Sequence, residues 1–539
     1  MALLVSDVVE TEDPKEGIAK RIGVDPSEIL TVEVMRRALD ARPKVPVWRV
    51  NYKVELRDEA AVLARKAKGA RPFTERDEMR RTGDLSLSDT SKKSNVSHDT
   101  SKNIHVSWGQ RPVVVVGAGP AGLFAALRLG EAGIPTVLIE RGGPVEDRVP
   151  AVNKFWRGGP LDAENNLLFG EGGAGTFSDG KIYTRRRDGE LGWIFRILVE
   201  AGADPGILTE SYPHLGTDKV RAILPALRRR MADAGVELRY HSRVERFVVE
   251  GGRCVGVELD SGEKIAATAV ISAPGHSARD TLGKMVEAGA SAELRPIAIG
   301  ARIEHPQGLI DQARYPDGRG ELPPASYRLA HSPKNGRAGW TFCMCPGGMV
   351  VPAMHQPGTV VVNGMSFAAR RAIWANSAVI VQVLPSDYPG GDPLAGFRFQ
   401  AEIERRAYEA SGSYAAPAQR VPDFLQGVAS SDLPKASYPM GIRPVPLTQV
   451  LPAPIIEGMK AAILRFEQDI PGFAGSEGVL IAPESRTTAP LRFLRGEDLH
   501  SSSLPGLLPV GEGAGYAGGI ISAALDGFRA AESVRVETR

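Results

Sequence analysis

Residues 113–141 read VVVVGAGPAGLFAALRLGEAGIPTVLIER, and this stretch decides the fold. Val113–Val116 is apolar on both faces, as a buried parallel strand requires. Gly117, Gly119 and Gly122 follow at G-x-G-x-x-G spacing, and Pro120 and Ala121 open a run with helical character. Gly117 permits a tight turn, Gly119 removes a side chain that would block a pyrophosphate, and Gly122 lets helix and strand pack closely. Free N–H groups and the helix dipole then favour an anion at the helix start. Thr136–Ile139 predicts a second strand. Glu140 ends it, placed to accept ribose hydroxyls and to repel a 2′-phosphate. The pattern predicts a dinucleotide site without separating FAD from NAD.

The chain has 539 residues, enough for about three domains. Lys and Arg number 66 against 64 Asp and Glu, a formal charge of +2 that disfavours nucleic acid as a partner. No run of about 18 apolar residues is free of charge, so no membrane span is expected. The opening MALLVSDVVETEDPKEG has neither the basic start of a secretory signal nor a cleavage site. With only three cysteines, the expected compartment is the cytoplasm.

Outward from the motif, residues 1–84 read as a small α/β domain of ferredoxin-like plan. Trp48, Val50, Tyr52, Val54 and Leu56 alternate with polar residues, which predicts a half-buried strand. ILTVEVMRRALDA (29–41) carries helical spacing at Ile29, Val32, Met35 and Leu39, with Asp25-Pro26 as a start signal upstream. Residues 85–110 contain the polar run LSLSDTSKKSNVSHDTSKNI and read as a flexible linker. TDKVRAILPALRRRMADAG (217–235) predicts an amphipathic helix. VELRYHSRVERFVVEGGRCVGVELDSGEKIAATAVISAPG (236–275) predicts a meander ending in a buried strand. Residues 295–480 mix strands such as PIAIGARIE and SAVIVQVLP with helices such as FRFQAEIERRAYEAS.

Near the end of the chain, LPGLLPVGEGAGYAGGIISAALDGFRAAES (504–533) reads as strand, glycine-rich turn and helix. It is a second place where backbone N–H groups at a helix start could meet phosphate or flavin oxygen. Glu512, between Gly511 and Gly513, is placed to bond a polyol such as ribityl. Gly518, Gly519 and Ile520 form the helix entry. A return from so far along the chain suits a long, permanently wrapped cofactor.

These motifs, with IERG (139–142) and ISAPGHSARDT (271–281), resemble the FAD-binding domain of the glutathione-reductase-type flavoproteins. LLFGEGGAGTFSDGKIYTR (167–185), FCMCPGG (342–348), ESRTTAPLR (484–492) and GEGAGYAGGIISAALDG (511–527) resemble, more narrowly, a family of largely uncharacterised FAD-dependent dehydrogenases. The resemblance implies an α/β fold with three parts. A FAD-binding Rossmann-like domain (111–294 with 481–539) carries an inserted α+β substrate or cap domain (295–480). The small ferredoxin-like domain precedes both. It also implies FAD as cofactor and contacts beyond the motif. Arg141 and Arg148 would approach the adenosine and diphosphate, the alternative being solvated surface charges. Val244 would hold the adenine through its backbone, and Ala273 and Gly275 would pass near the diphosphate. Glu512 stands where related proteins carry Asp.

GEGGAGTFSDGKI (170–182) has five glycines in its first eleven residues, suited to backbone lying against a flat ring. Gly172, Gly173, Ala174 and Thr176 are expected beside the isoalloxazine, with Ser178, Asp179 and Lys181 as polar neighbours. Lys181 or Arg486 is the candidate cation near the flavin's N1–C2 edge. The alternative for Arg486 is a structural pair, with Glu484. Cys343-Met344-Cys345 reads either as a redox dithiol or as buried small hydrophobes, and Cys254 lies apart. His276 is expected to cap or pack, and His214 and His305 have no visible partner. No metal site is spaced in the sequence.

A second G-x-G-x-x-G in a strand–turn–helix setting is absent from the sequence. Electrons would therefore pass to a small-molecule substrate, another electron carrier, or NAD(P)H held transiently. The function expected is hydride transfer between an unidentified substrate and flavin N5. An RNA-modifying flavoprotein and a non-catalytic FAD redox sensor are the alternatives.

Overall fold

The computed structural model describes residues 2–41, 43, 46–86, 111–186 and 188–537. The expected linker lies, from residue 87 onward, outside the described residues. The chain divides into two compact units: 2–86 with Lys181–His214, and 111–180 with 215–537. Residues 181–214, expected with the nucleotide-binding domain, fall in the first unit.

The first unit contains the ferredoxin-like plan in full. Strands Leu3–Val9, Ile29–Asp40, Val47–Leu56 and Ala70–Pro72 form one sheet, in the spatial order 29–40, 47–56, 3–9, 70–72. Every neighbouring pair is antiparallel. Helices Pro14–Ile22 and Glu59–Ala64 supply the crossovers. Leu3, Val5, Ile18, Val50, Tyr52 and Val54 make the core.

Residues 29–40 form a strand, not the helix that their spacing predicts. Two bulges, at Ile29/Thr31 and Val34/Arg36, explain the misreading. Opposite the inward-facing Leu56, Val54, Tyr52, Val50 and Trp48 stand Ile29, Val32, Val34, Arg37 and Leu39. Each bulge adds a residue, so the inward positions are spaced 3, 2, 3, 2, and the period of two is disguised. Asp25-Pro26 opens a 3-10 turn with a capping box to Glu28. The segment 181–214 joins this unit through helix Leu191–Glu200. A methyl group at Gly192 would stand 2.4 Å from the carbonyl oxygens of Met79 and Arg80.

In the second unit, five parallel strands run in the order 507–509, 269–272, 113–116, 136–139, 236–239. The expected meander pairs 244–250, 253–259 and 264–266. The helix from the opening motif, Pro120–Glu131, packs against the C-terminal helix Ile520–Glu537. Gly527 makes that approach possible, since a methyl there would lie 1.9 Å from Ala121 O. A seven-stranded mixed sheet follows the order 330–331, 339–345, 374–383, 297–306, 479–484, 416–420, 442–444. Helix Ala453–Asp469 covers one face, where Gly458 meets Val381 and Gly339 meets Ala462. The hairpin 349–352/362–365 lies over Arg302 on the opposite face, with Gly364 beside its guanidinium. No helix among the described residues is long and apolar enough to cross a membrane.

Candidate functional site

Three glycine-rich turns from distant parts of the chain converge on the starts of two helices. Gly117 has φ +97°, and a methyl there would stand 2.4 Å from Ala273 O. A methyl at Gly122 would stand 1.8 Å from Gly117 O, so strand and helix touch only because both residues are bare. From the C-terminal turn, methyls at Gly511 and Gly513 would stand 3.1 Å from Ala121 Cβ and 2.7 Å from Gly275 O. Between the helix starts runs the 172–175 backbone: methyls at Gly173 and Gly175 would lie 3.0 Å from Gly119 Cα and 3.2 Å from Ile520 Cγ1.

The same glycines leave a groove. At Gly275, Gly518 and Gly519 a methyl would meet nothing within 4 Å, and at Gly119 only Gly173 Cα at 3.9 Å. Gly119 caps the helix Pro120–Glu131 with no side chain over its end, so the first-turn N–H groups need a partner. Bare backbone, a helix dipole and open space at these four glycines fit a dinucleotide pyrophosphate.

The charged groups expected around this groove divide. Glu140 is buried, and three backbone N–H groups donate to it: Ala118 at 2.7 Å, Gly142 at 2.9 Å and Gly170 at 2.9 Å. It therefore pins the phosphate turn to two neighbouring turns, and about one of a carboxylate's four acceptor positions remains for a hydroxyl. Arg141 bridges Glu164 and Asp280 and lies over the Phe169 ring. Burial opposes its charge, and the two carboxylates overcome that and raise it above the ordinary arginine range. Val244 opens the meander with its side chain buried opposite Leu259. Glu512 stands 3.7 Å from His276 Nδ1, and Asp526 accepts from Gly511 N at 2.7 Å.

Arg148 departs from both readings, being neither near solvent nor turned toward a ligand. It is fully buried. Its guanidinium donates to the carbonyl oxygens of Asn166 (2.7 Å), Leu167 (2.6 Å), Gly170 (3.3 Å) and Glu171 (2.7 Å), and to Thr176 Oγ1 (3.0 Å). Burial pulls it down to about 9, against the pull of Glu140. Thr176, expected at the flavin, is also turned inward: its hydroxyl donates to Glu171 O and accepts from Arg148. Together they shape the turn that carries Gly172, Gly173 and Ala174. Ser178 accepts from Gly180 N and donates to Gly175 O. Asp179 is held by Ser366 and by Arg370 at 2.8 Å. Lys181 belongs to the first unit, where it forms a β-bridge with His214.

Arg486 is paired with Glu404, not with Glu484. Its Nε and Nη2 donate to Glu404 at 3.0 and 2.7 Å, and its Nη1 donates to His355 Nδ1 at 2.8 Å. Arg279 grips the same carboxylate at 2.7 and 3.0 Å, and Ser485 adds a bond at 2.7 Å. Burial would raise Glu404, but the two guanidiniums overcome it and hold the carboxyl far below its usual range. Burial, then Arg486 and Arg279, push His355 well below its ordinary value, so the ring is neutral. Glu484 instead holds the buried Arg302 at 2.8 Å. Arg279, His355 and Glu404 were missed by sequence reasoning. One signal was available: Glu404 lies on the stripe Phe397, Gln400, Ile403, Ala407, Ser411, where an acid needs a buried partner.

Cys345 is buried with Sγ 3.3 Å from Cys343 O, and Cys343 takes φ +46° at a bulge in strand 339–345. Cys254 is buried in the meander. His305 Nε2 donates to Phe473 O at 2.9 Å. Among the described residues no group of three or more His, Cys, Asp or Glu is arranged for a metal ion.

Residues 110–151 match the family described as FAD binding domain, 211–316 match FAD dependent oxidoreductase, and 296–487 match FAD-dependent protein, C-terminal domain-like. A Clostridium beijerinckii protein, described only as uncharacterized, is 37% identical over 525 residues, 96% of this chain and 94% of that one. The FAD-dependent monooxygenase nscC of Neosartorya fischeri is 28% identical over 211 residues, 38% of this chain and 48% of that one. A solved geranylgeranyl bacteriochlorophyll reductase-like protein of Thermoplasma acidophilum is 14% identical, with TM-score 0.35, over 80% of this chain and 79% of that one.

Proposed function

Since the chain belongs to the FAD-dependent oxidoreductases, and to one family with an uncharacterized Clostridium beijerinckii protein, we propose that the glycine-lined groove holds one FAD and that the inserted domain seats a small-molecule substrate against its flavin. The protein is an FAD-dependent enzyme, and the cofactor supplies hydride transfer at flavin N5. In this reading Gly117, Gly119, Pro120, Ala121 and Gly122 hold the pyrophosphate, and Glu140 offers its remaining acceptor position to the ribose. Ala273 and Gly275 flank the diphosphate. Gly172, Gly173 and Ala174, together with Gly511, Glu512, Gly518, Gly519 and Ile520, would hold the flavin portion. The five-stranded parallel sheet and the C-terminal return support the finer reading, a flavoprotein of the glutathione-reductase type. Electrons would come from the substrate, from another electron carrier, or from NAD(P)H held transiently, since a second dinucleotide motif is missing from the sequence. The small cysteine number favours the cytoplasm.

The observation that carries this reading is the open space at Gly119 beside an uncapped helix start. Gly119 has φ −75° and ψ 179°, which alanine adopts without strain. G119A should therefore fold with the thermal transition of the cofactor-free wild type, while its methyl occupies the pyrophosphate's approach. Absorbance near the flavin bands, relative to protein absorbance, gives the readout. The expected result is a yellow wild type and a folded, nearly colourless variant. A colourless wild type, or a variant as yellow as the wild type, would overturn the assignment.

A further inference from the structure

The cluster around Glu404 carries more positive charge than it neutralises. Two guanidiniums, Arg279 and Arg486, share one carboxylate, and His355 is neutral. The net charge is one positive, in a place where Glu404 and Ser485 are fully buried and Arg486 and His355 are 7% exposed. An unbalanced buried charge is costly unless something balances it. Arg279 answers to the same imbalance: burial lowers its affinity for a proton, Glu404 opposes this, and Arg486 adds to it.

Donors are also left over. A guanidinium has five N–H groups. Arg279 uses two on Glu404 and one on Gln400 Oε1, and its Nε is buried without a partner. Arg486 uses two on Glu404 and one on His355. Because a guanidinium only donates, His355 Nδ1 accepts, and the ring proton sits on Nε2. Nε2 makes no hydrogen bond among the described residues. Two residues before Arg279, Ser277 Oγ is likewise buried and unpartnered.

The placement of these groups favours substrate over cofactor. Arg279 begins the helix Arg279–Glu287, just beyond the turn with Ala273 and Gly275 that borders the groove. His355, Glu404 and Arg486 all come from 296–487, the part of the chain outside the dinucleotide motifs. Resting on the oxidoreductase reading above, we propose that Arg279, Arg486 and His355 recognise a carboxylate of the substrate. One negative charge balances the cluster, whereas a phosphate dianion would overshoot it. The flat pair of carboxylate oxygens matches the spare N–H groups of the guanidiniums, with His355 Nε2–H as a neutral donor. Glu404 and Ser485 are positioning residues.

The test titrates the holoenzyme with acetate and benzoate, and in parallel with acetamide and benzamide. Binding is read by calorimetry and by perturbation of the flavin bands, with FAD content measured on every sample. The expected result is saturable binding of at least one carboxylate, no binding of its amide, and a loss of about tenfold or more in affinity in R279Q at unchanged FAD content. In R279Q, Glu404 keeps Arg486 as a balanced pair, so the core charge is not orphaned. Should R279Q fail to fold, H355L replaces it: leucine leaves Glu404 both guanidiniums but removes the neutral Nε2–H donor, so a loss of carboxylate affinity at unchanged FAD content is again expected. Full FAD content with no carboxylate binding, or with acid and amide bound equally, overturns the carboxylate site and leaves the flavin reading intact. Protein without FAD overturns the flavin reading, and calorimetry still decides the charge cluster.

Discussion

Among the described residues Arg148 has no carboxylate partner, yet it lies wholly inside the protein. Four carbonyl groups and one hydroxyl replace the water that its charge loses, and in return the charge fixes the turn from 166 to 176. Lysine retains the charge but has three donors in place of five and lacks the planar fork. R148K should therefore leave buried carbonyls unpaired and cost about 3 kcal/mol. The melting temperature should fall, and FAD should be lost more readily on dialysis. An unchanged melting curve together with undiminished flavin content would contradict this role. Residues of this kind are illegible in sequence because their partners are remote: 82 positions separate Arg486 from Glu404, and 131 separate it from His355. Gly117, Gly119 and Gly122 are legible because each answers a local need, namely a positive φ, an open approach or a close packing contact.

At the scale of the element, periodicity was decisive where a strand or helix is regular and misleading where it is not. Strand 297–306 and helix 395–411 read correctly; strand 29–40 imitates a helix because its bulges stretch the spacing of its inward positions. Strand 297–306 also holds Glu304, which is fully buried and has no cationic partner among the described residues. Burial raises its carboxyl from about 4.5 to about 7, although the Ser437 N–H and hydroxyl both donate to it. The folded form thus binds this proton more tightly than the unfolded form. The resulting stabilisation is complete below about pH 4.5 and fades as pH rises through about 7. Thermal melts of wild type and E304Q between pH 5 and 8 should diverge, the wild type losing about 3 kcal/mol relative to the variant. Parallel curves across that range would exclude Glu304 as the titrating group.

Over the whole molecule, the sequence order and the spatial order disagree in one instructive place. Residues 181–214 sit between cofactor motifs in the sequence but fold with the ferredoxin-like unit, tied to it by Arg37, whose N–H donates to Thr209 O and whose carbonyl accepts from Ser211 N. No local signal marks that choice, because the contact at Gly192 needs the helix Glu75–Thr82 from far upstream. The truncated chain 111–539 should therefore not behave as a clean deletion of one domain. Limited proteolysis followed by mass spectrometry should find rapid cleavage within 181–214 in the truncated chain and protection of that segment in the full chain; equal protection would show that the segment needs no partner from 2–86. The convergence of Gly119, Gly275 and Gly511 has a consequence of another kind. While a ribosome is still making the chain, the first glycine turn emerges long before the last, and strand 507–509 and the closing helix are missing from their places. On the proposed reading the nascent polypeptide has no complete groove for its yellow guest, and loading would wait until synthesis has passed residue 520.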